Sequence, residues 1–433
     1  MGSQENYNPV VLKFELLCQG LRIPQETRNA LGQDLKEDFA IGAVGKHAFD
    51  IILGADKVYV GLPVGDAVME QVLTGTPFGL ELHDGCYYVT KKPAYLGPDN
   101  KWVCTDEDAF GEPIMPVTLF PRPEYYEQRT SSGLPMRNVM PMVSDFAGGT
   151  INPYCDFWGH HDPRLHGQQC RYCGIGLNIE AGRDLPRKTP RDFVETLAEA
   201  RKYRYFRHGP VFAGGAHPAP GRGHLEHAEY LRALKEAFPD NWLRLTIAPP
   251  EDERYVDALF AAGADLVGYN YELFDPELFA KYCPGKIMEI ERGVPGHSHY
   301  DRMLSHIVER YGPNRAHANL IVGLEPLEST VEGIEHLASM GVIPTLFVFV
   351  PLKGTVLARR STPSALDLIY LYQRLKEIVE GRYHLDTGCA GCHRMMVNTK
   401  AFDGLDHSMP TITELDLQVA GLPTRALKKQ VRE

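Results

Sequence analysis

Three cysteines in one stretch of the chain have the spacing and the residue type for metal chemistry. Fourteen residues separate Cys155 from Cys170, and two separate Cys170 from Cys173. Thiolates hold iron–sulfur clusters, and three of them leave one iron of a four-iron, four-sulfur (4Fe-4S) cluster without a protein ligand. Such an open iron can bind a substrate or a cofactor. The pattern therefore predicts a reactive cluster, because a structural cluster would use four cysteines.

The loop between Cys155 and Cys170 offers an alternative first ligand. It contains His160, His161 and His166, and imidazole also binds iron. A site of three thiolates suits the soft cluster better. Cys155 is therefore the predicted ligand, with the histidines as the alternative.

A second CxxC pair, Cys389 and Cys392, lies near the end of the chain. Three interpretations stay open: an auxiliary iron–sulfur cluster completed by Cys283 or His393, a redox pair, or plain thiols in a turn. A zinc site that combines this pair with the central CxxC pair is a further alternative. Zinc-binding pairs are usually close in sequence, whereas these are more than two hundred residues apart.

From about residue 145, apolar runs typical of strands alternate with segments of helical periodicity. This alternation predicts parallel strands joined by helices, which curl into a partial or full (β/α)6 TIM-like barrel with its active site at the carboxyl ends of the strands. The six predicted strands are 149–155, 209–216, 242–248, 264–273, 317–324 and 343–352.

Capping residues mark the predicted helices. Thr189 precedes a proline and is followed three residues later by Asp192, which is typical of a helix start. Two helices are predicted to end at Gly263 and Gly341. The last barrel helix, TPSALDLIYLYQRLKEIVE, is predicted to begin at its Thr-Pro and to end at Gly381.

The predicted domain organisation has three parts. Residues 1–140 contain short apolar runs broken by Gly and Pro, which indicate a small mixed α/β domain. Residues 141–385 form the barrel, and residues 386–433 form a short C-terminal extension that carries the second cysteine pair.

Bulk composition excludes several classes of protein. The 433 residues carry a net charge of -11 and show no basic run, which disfavours a nucleic-acid partner. No stretch approaches the roughly eighteen apolar residues that span a bilayer. Nine cysteines without a secretion signal favour reduced thiols over disulfides. We expect a cytoplasmic protein that acts on a small molecule.

Several stretches of the sequence resemble the radical S-adenosylmethionine superfamily. They are QQCRYCGIGLNIEAGRDLPRKTP, VGYNYELFDPE, LIVGLEP and PLKGT, and the likeness covers nearly the whole chain. It is strongest to the biotin-synthase-like branch, and in that branch to a subgroup encoded beside nitrilases. The gap between Cys155 and Cys170 departs from the superfamily, in which three residues usually separate the first two cysteines.

The resemblance implies a pocket for S-adenosylmethionine at the mouth of the barrel. Gly214 and Gly215 stand where the superfamily has a glycine-rich motif that contacts the methionine amino group, although an ordinary strand-to-helix turn also explains them. Glu272 ends an apolar strand, where a carboxylate could meet an ammonium or the ribose hydroxyls; a solvated strand end is the alternative.

The adenine ring of the cofactor would have its own contacts. Ile321 and Gly323 lie in the segment that resembles the fifth-strand packing surface for adenine, and Tyr172 could shield the ring. Core packing is an equally good account of Tyr172 and Ile321.

The function that the resemblance implies is reductive cleavage of S-adenosylmethionine to a 5'-deoxyadenosyl radical, which abstracts hydrogen from a small polar substrate. A flavodoxin or ferredoxin would supply the electron. Transfer of an aminocarboxypropyl group is an alternative within the class. A zinc-stabilised binding barrel and an ordinary β/α hydrolase or lyase are alternatives of other classes.

Other histidines have spacings compatible with metal binding or proton transfer. They are His224 with His227, and His297 with His299. Solvated positions in loops or at helix starts explain them more simply, and that interpretation is favoured. His217, next to the two glycines, is the better candidate for the pocket.

Overall fold

The computed structural model describes residues 7–31, 48–54, 58–63, 75–106, 108–109, 111–151, 166–180, 188–213, 220–286, 297–386, 391–399 and 409–427. No helix among them is long and apolar enough to cross a membrane. Cys155, Gly214, Gly215 and Cys389 lie outside the described residues, as do His160, His161 and His217.

The first part of the described chain builds two helices and an antiparallel sheet of five strands in the order β2-β1-β7-β4-β3. A small ribbon pairs β5 with β6. The helices are α1 (Pro9–Gln19) and α2 (Gln25–Leu31), and the strands are β1 (Ala48–Leu53), β2 (Val58–Pro63), β3 (Phe78–His83), β4 (Cys86–Lys91), β5 (Ala94–Leu96), β6 (Trp102–Cys104) and β7 (Glu112–Leu119).

The larger sheet of the described chain has seven strands in the order β14-β13-β12-β11-β10-β9-β8. Strands β9 to β14 are parallel, and β8 pairs antiparallel with β9. The strands are β8 (Met142–Val143), β9 (Phe146–Gly149), β10 (His208–Ala213), β11 (Arg244–Thr246), β12 (Leu266–Gly268), β13 (Ala316–Val322) and β14 (Ile343–Val348). The sheet curls into a partial TIM barrel, which confirms the predicted fold class.

Helices connect and cover these strands. They are α3 (Met136–Val139), α4 (Ile175–Glu180), α5 (Pro190–Ala200), α6 (Pro220–Ala237), α7 (Glu253–Ala261), α8 (Pro276–Tyr282), α9 (His297–Tyr311), α10 (Leu327–Ser339), α11 (Ala365–Lys376) and α12 (Glu414–Ala420). A π-helical turn, Glu377–Tyr383, continues α11.

The predicted helix ends agree with the structure at α5, α7 and α10. Thr189 and Asp192 form a capping box at the start of α5. Gly263 and Gly341 follow α7 and α10 with positive φ. The prediction for α11 was wrong by two residues at its start, because Ser364 forms the capping box there.

Two further predictions need correction. Gly381 lies inside the π-helical turn, and the chain leaves that turn at His384, which adopts a left-handed conformation. The first parallel strand of the larger sheet is Phe146–Gly149, so the predicted strand 149–155 begins three residues too late, and its residues 152–155 lie outside the described residues. Pairing with both β8 and β10 sets its position, and glycine's weak strand propensity hides it in the sequence.

A segment near the C-terminus, residues 391–399, ties the two sheets together. Val397 N donates to Leu346 O at 2.8 Å along β14, and Gly61 N of β2 donates to Arg394 O at 3.0 Å. Arg394 also forms an ion pair of 2.6 Å with Asp50 of β1. The segment therefore packs between the first sheet and the edge of the barrel.

Candidate functional site

The cysteine loop docks at the carboxyl end of β12. Cys173 N donates to Cys170 O at 2.9 Å, which makes a tight turn that carries both thiols. Arg171 N donates to Tyr282 O at 2.8 Å, and Gly285 N donates to Gln168 O at 2.8 Å. Because α8 and these residues follow β12, the backbone bonds place the loop at the end of the barrel where such folds hold their active sites.

Cys283 lies directly against this turn. Its thiol is buried and lies 3.6 Å from the Tyr172 hydroxyl. A hydrogen bond from Cys283 lowers the pKa of the Cys170 thiol, whereas burial raises the pKa of Cys283. Cys170 therefore favours the thiolate that binds metal while Cys283 stays protonated. Burial also raises the pKa of Tyr172.

Glu272 faces the same corner of the barrel. Its backbone extends the sheet, since Glu272 N donates to Asn319 O and Ile321 N donates to Glu272 O, each at 2.7 Å. Its φ of 64° is in the left-handed region, which is strained for a residue with a side chain. Its carboxylate forms an ion pair of 2.5 Å with Lys286. Strain and a nearly buried ion pair together indicate a functional position.

No motif or spacing in the sequence identifies Lys286 as a site residue. Burial alone would lower the pKa of its ammonium, but Glu272 and the neighbouring thiols raise it well above its usual value. It also donates to Asn270 O at 3.2 Å. The pair brings one negative and one positive group to the cysteine turn.

The predicted adenine-contact residues lie on the next strand. Ile321 is 7% exposed at the end of β13. Gly323 has a φ of 100°, and a Cβ there would come within 2.9 Å of Pro363. Its carbonyl accepts from Arg360, which also donates to the Tyr282 hydroxyl. Ile321 and Gly323 therefore lie at the same end of the sheet as the cysteine turn.

Cys392 lies elsewhere. It packs against Val143 and Phe146 in a small apolar cluster and lies 3.9 Å from His208 Nε2. His208 begins β10, whereas Cys170 packs beyond the end of β12, so the two cysteines lie toward opposite ends of the parallel strands. Cys392 is held in a disulfide bond, so the expectation of reduced thiols is wrong for this cysteine. The geometry brings Cys283 to Cys170 and not to Cys392.

The histidines of the other groupings pack within the fold. His224 Nε2 lies 3.3 Å from the Tyr269 hydroxyl, and His227 Nδ1 lies 2.7 Å from Gly223 O. His297 stacks on Tyr271 with ring centroids 4.0 Å apart. His166, in contrast, is exposed.

The donor set at the cysteine turn fits a sulfur-ligated iron cluster. Two thiols project from one turn, and hydrogen bonding favours the thiolate at Cys170. Within the described ranges, no group of three or more His, Cys, Asp or Glu side chains is arranged to hold a metal ion. The third predicted ligand, Cys155, lies outside those ranges.

Comparisons with known proteins complete this description. No family model matches the chain. A stretch of 246 residues, 53% of the chain, is 26% identical to the bacteriochlorophyllide c C-7(1)-hydroxylase of Chlorobaculum limnaeum, and the match spans 60% of that relative's length.

Two solved structures are also similar. Methylornithine synthase is 14% identical with a TM-score of 0.38, over 67% of this chain and 87% of the other. Coproporphyrinogen III oxidase from Escherichia coli, itself a radical SAM enzyme, is 17% identical with a TM-score of 0.33, over 55% of this chain and 52% of the other.

The chain is therefore similar to this hydroxylase over about half of its length. Its cysteine turn lies at the carboxyl end of β12 in the curled parallel sheet.

Proposed function

We propose that this protein is a radical S-adenosylmethionine enzyme, which binds a 4Fe-4S cluster through Cys155, Cys170 and Cys173 and uses it to cleave S-adenosylmethionine reductively. The 5'-deoxyadenosyl radical then abstracts a hydrogen atom from a small polar substrate. The observation that carries the proposal is the Cys170–Cys173 turn, fixed by backbone bonds beside the Glu272–Lys286 pair. When bound, the cluster would supply the single electron that breaks a carbon–sulfur bond.

The charged pair suits the methionine part of the cofactor. Glu272 offers an acceptor for its ammonium or for the ribose hydroxyls, and Lys286 offers a cation for its carboxylate. Gly214 and Gly215, which lie outside the described residues, stay candidates for the amino group. Tyr172, Ile321 and Gly323 stay candidates for the adenine ring.

The remaining expectations belong to the same proposal. A flavodoxin or ferredoxin would donate the electron in a cytoplasmic enzyme. Membership of the subgroup encoded beside nitrilases also stays a prediction. An auxiliary cluster at Cys389 and Cys392 stays a prediction as well, and it would require reduction of the disulfide bond that holds Cys392.

Anaerobic purification with iron analysis tests the cluster. We expect a brown protein with about four irons per chain, and loss of both colour and cleavage of S-adenosylmethionine in Cys170→Ala and Cys173→Ala. Cys86→Ala, at an exposed position of β4, is the matched control and should keep both. A colourless protein with one zinc, or cleavage that persists without Cys170 and Cys173, would refute the proposal.

Cys155 needs its own test, because the histidine alternative concerns this ligand alone. Cys155→Ala should lose the cluster, whereas His160→Ala, His161→Ala and His166→Ala should keep it. The opposite pattern would assign the ligand to a histidine.

The nucleoside product distinguishes the two reactions of the class. Cleavage that yields the 5'-deoxyadenosyl radical gives 5'-deoxyadenosine after hydrogen abstraction. Transfer of an aminocarboxypropyl group leaves 5'-methylthioadenosine instead. Mass spectrometry of the reaction mixture after reduction with dithionite reads out which bond breaks.

A further inference from the structure

Arg244, the first residue of β11, is a buried cation with no counter-charge among the residues that the structure describes. It is 5% exposed. Its Nε donates to His317 Nε2, and one terminal nitrogen contacts His317 Nδ1, each at 3.2 Å. No carboxylate among the described residues forms an ion pair with it. Burial of an unpaired charge costs several kcal/mol. A bound anion would offset this cost at Arg244.

The neighbouring strands show which way this side chain points. A Cβ on Gly333 of α10 would lie 3.1 Å from Leu320, so Leu320 faces the helices. Side chains alternate along a strand, and His317 therefore faces the concave side of the sheet. Because Arg244 contacts the His317 ring, its guanidinium lies on the concave side as well.

Gly268, on the strand between Arg244 and His317, leaves space for the contact between these two side chains. Thr246, Gly268 and His317 are in register on β11, β12 and β13. The Thr246 hydroxyl reaches across Gly268 to His317 Nε2 at 3.1 Å. A Cβ on Gly268 would lie 2.1 Å from the same atom. The three strands thus form a polar floor inside the half-barrel.

The histidines around Arg244 do not balance its charge. Burial lowers the pKa of His317 well below its usual value, and Arg244 lowers it further. Burial and then Arg244 lower the pKa of His208 to about 3. Both rings are therefore neutral near pH 7, and the guanidinium of Arg244 is the one positive charge among these three side chains.

A second unsatisfied group lies nearer the mouth of the barrel. Tyr269 contacts His224 of α6, and Tyr271 donates to Asp301 of α9, so both tyrosines face the helices. Asn270, between them, faces the concave side. Its side-chain Oδ1 is buried and has no hydrogen-bond partner in the described part of the chain. Buried amides normally have partners, so this one also awaits a ligand.

We infer that the substrate is a small carboxylic acid bearing a hydroxyl or amino group, with its carboxylate on Arg244 and that second group on Asn270. Arginine binds carboxylates through two parallel hydrogen bonds. Glu272 follows Asn270 by two residues, so the substrate would lie between the polar floor and the cofactor. This inference rests on the proposed function, because it concerns the substrate of the same site.

Calorimetric titration of the anaerobically reconstituted enzyme with S-adenosylmethionine tests the inference. The probes are hydroxy and amino acids of two to six carbons, each paired with its uncharged amide. We expect at least one acid to bind at least ten times more tightly than its amide. That preference should disappear in Arg244→Met and partly remain in Arg244→Lys. Asn270→Ala should weaken binding of the same acid. The acid should still bind more tightly than its amide in this variant.

Arg254→Met, at an exposed position of α7, is the matched control and should bind like the wild type. Circular dichroism and iron content establish that each variant is folded and loaded. The inference is wrong if no acid of the series binds, if amides bind equally well, or if folded Arg244→Met keeps the preference.

The proposed function can fail separately. Cleavage of S-adenosylmethionine without substrate should occur in the wild type and should be unchanged in Arg254→Met, because Arg254 is exposed on α7. A wild-type enzyme that binds acids but never cleaves S-adenosylmethionine would refute the radical reaction and leave the anion site intact.

Discussion

Lys286 Nζ lies 2.5 Å from Glu272 Oε1, beside the turn that carries Cys170. Glu272 has only 7% of its side chain exposed, and Lys286 supplies the counter-charge for its carboxylate. The pair holds a strained strand end next to two thiols. Its energetic contribution can be measured independently of any reaction.

Replacement of Lys286 by Met should destabilise the protein by about 3–5 kcal/mol, because it leaves a buried carboxylate without its cation. Urea denaturation followed by circular dichroism gives the change. Glu272→Gln in the same chain should recover part of the loss. Lys202→Met, which breaks the exposed pair with Glu199, should cost under about 1 kcal/mol. Equal losses for the two lysines would contradict this account.

Cys283→Ala should lower the midpoint reduction potential of the cluster. The Cys283 thiol stays protonated and donates toward Cys170, and hydrogen bonds to cluster sulfurs favour the reduced state. Redox titration followed by electron paramagnetic resonance measures the shift. Cys86→Ala should leave the potential unchanged. An unchanged or raised potential in Cys283→Ala would show that this thiol does not act on the cluster.

Gly268→Ala should cost about 1–3 kcal/mol of folding stability, because the new methyl group would overlap the His317 ring. His317→Ala in the same chain should restore part of that loss by removing the ring. Gly381, around which a Cβ would meet open space, is the control position. If Gly268→Ala and Gly381→Ala unfold at the same denaturant concentration, the ring does not lie over Gly268.

Asp145→Asn should stabilise the protein at neutral and higher pH. Burial raises the pKa of Asp145 to about 7, above the ordinary carboxyl value of about 4. Between these values the folded protein keeps a proton that the unfolded chain releases, so wild-type stability falls as pH rises. Asparagine cannot ionise and avoids this loss.

Denaturation curves at a series of pH values check that prediction. The advantage of Asp145→Asn should be largest above about pH 7 and should shrink toward zero at the ordinary carboxyl value of about 4. Asp240→Asn, at an exposed position, should show no comparable gain. An advantage for Asp145→Asn that does not vary with pH would contradict the assignment.

The sequence predicted the barrel because its strands and helices carry local signals. Five of the six predicted strands overlap β10 to β14, since each is a β-rich run between polar turns. The strand at Phe146–Gly149 lacked such a signal. A glycine is needed at position 149 because the backbone of Val139 and the ring of Phe193 approach Gly149 closely, which only the folded chain shows.

The candidate site was predictable only where spacing carries meaning. The spacing of Cys170 and Cys173 indicates metal ligands, and the position of Glu272 at a strand end indicates a functional carboxylate. Lys286, Cys283 and Arg244 have no such signature. Each meets its partner only in the folded chain. Lys286 and Cys283 follow α8 and contact residues of β12's end and of the cysteine turn, and Arg244 contacts a residue two strands away in the sheet.

The buried Lys13 of α1 has a consequence for synthesis of the chain. Its ammonium donates to His393 O at 2.8 Å, to Asn398 O at 3.1 Å and to the Thr399 hydroxyl at 2.9 Å. A ribosome therefore makes the donor at least 380 residues before any of its three acceptors. Until those acceptors emerge, α1 has a cation that it cannot bury, and the first sheet reaches its final packing only after residues 393–399 have been made.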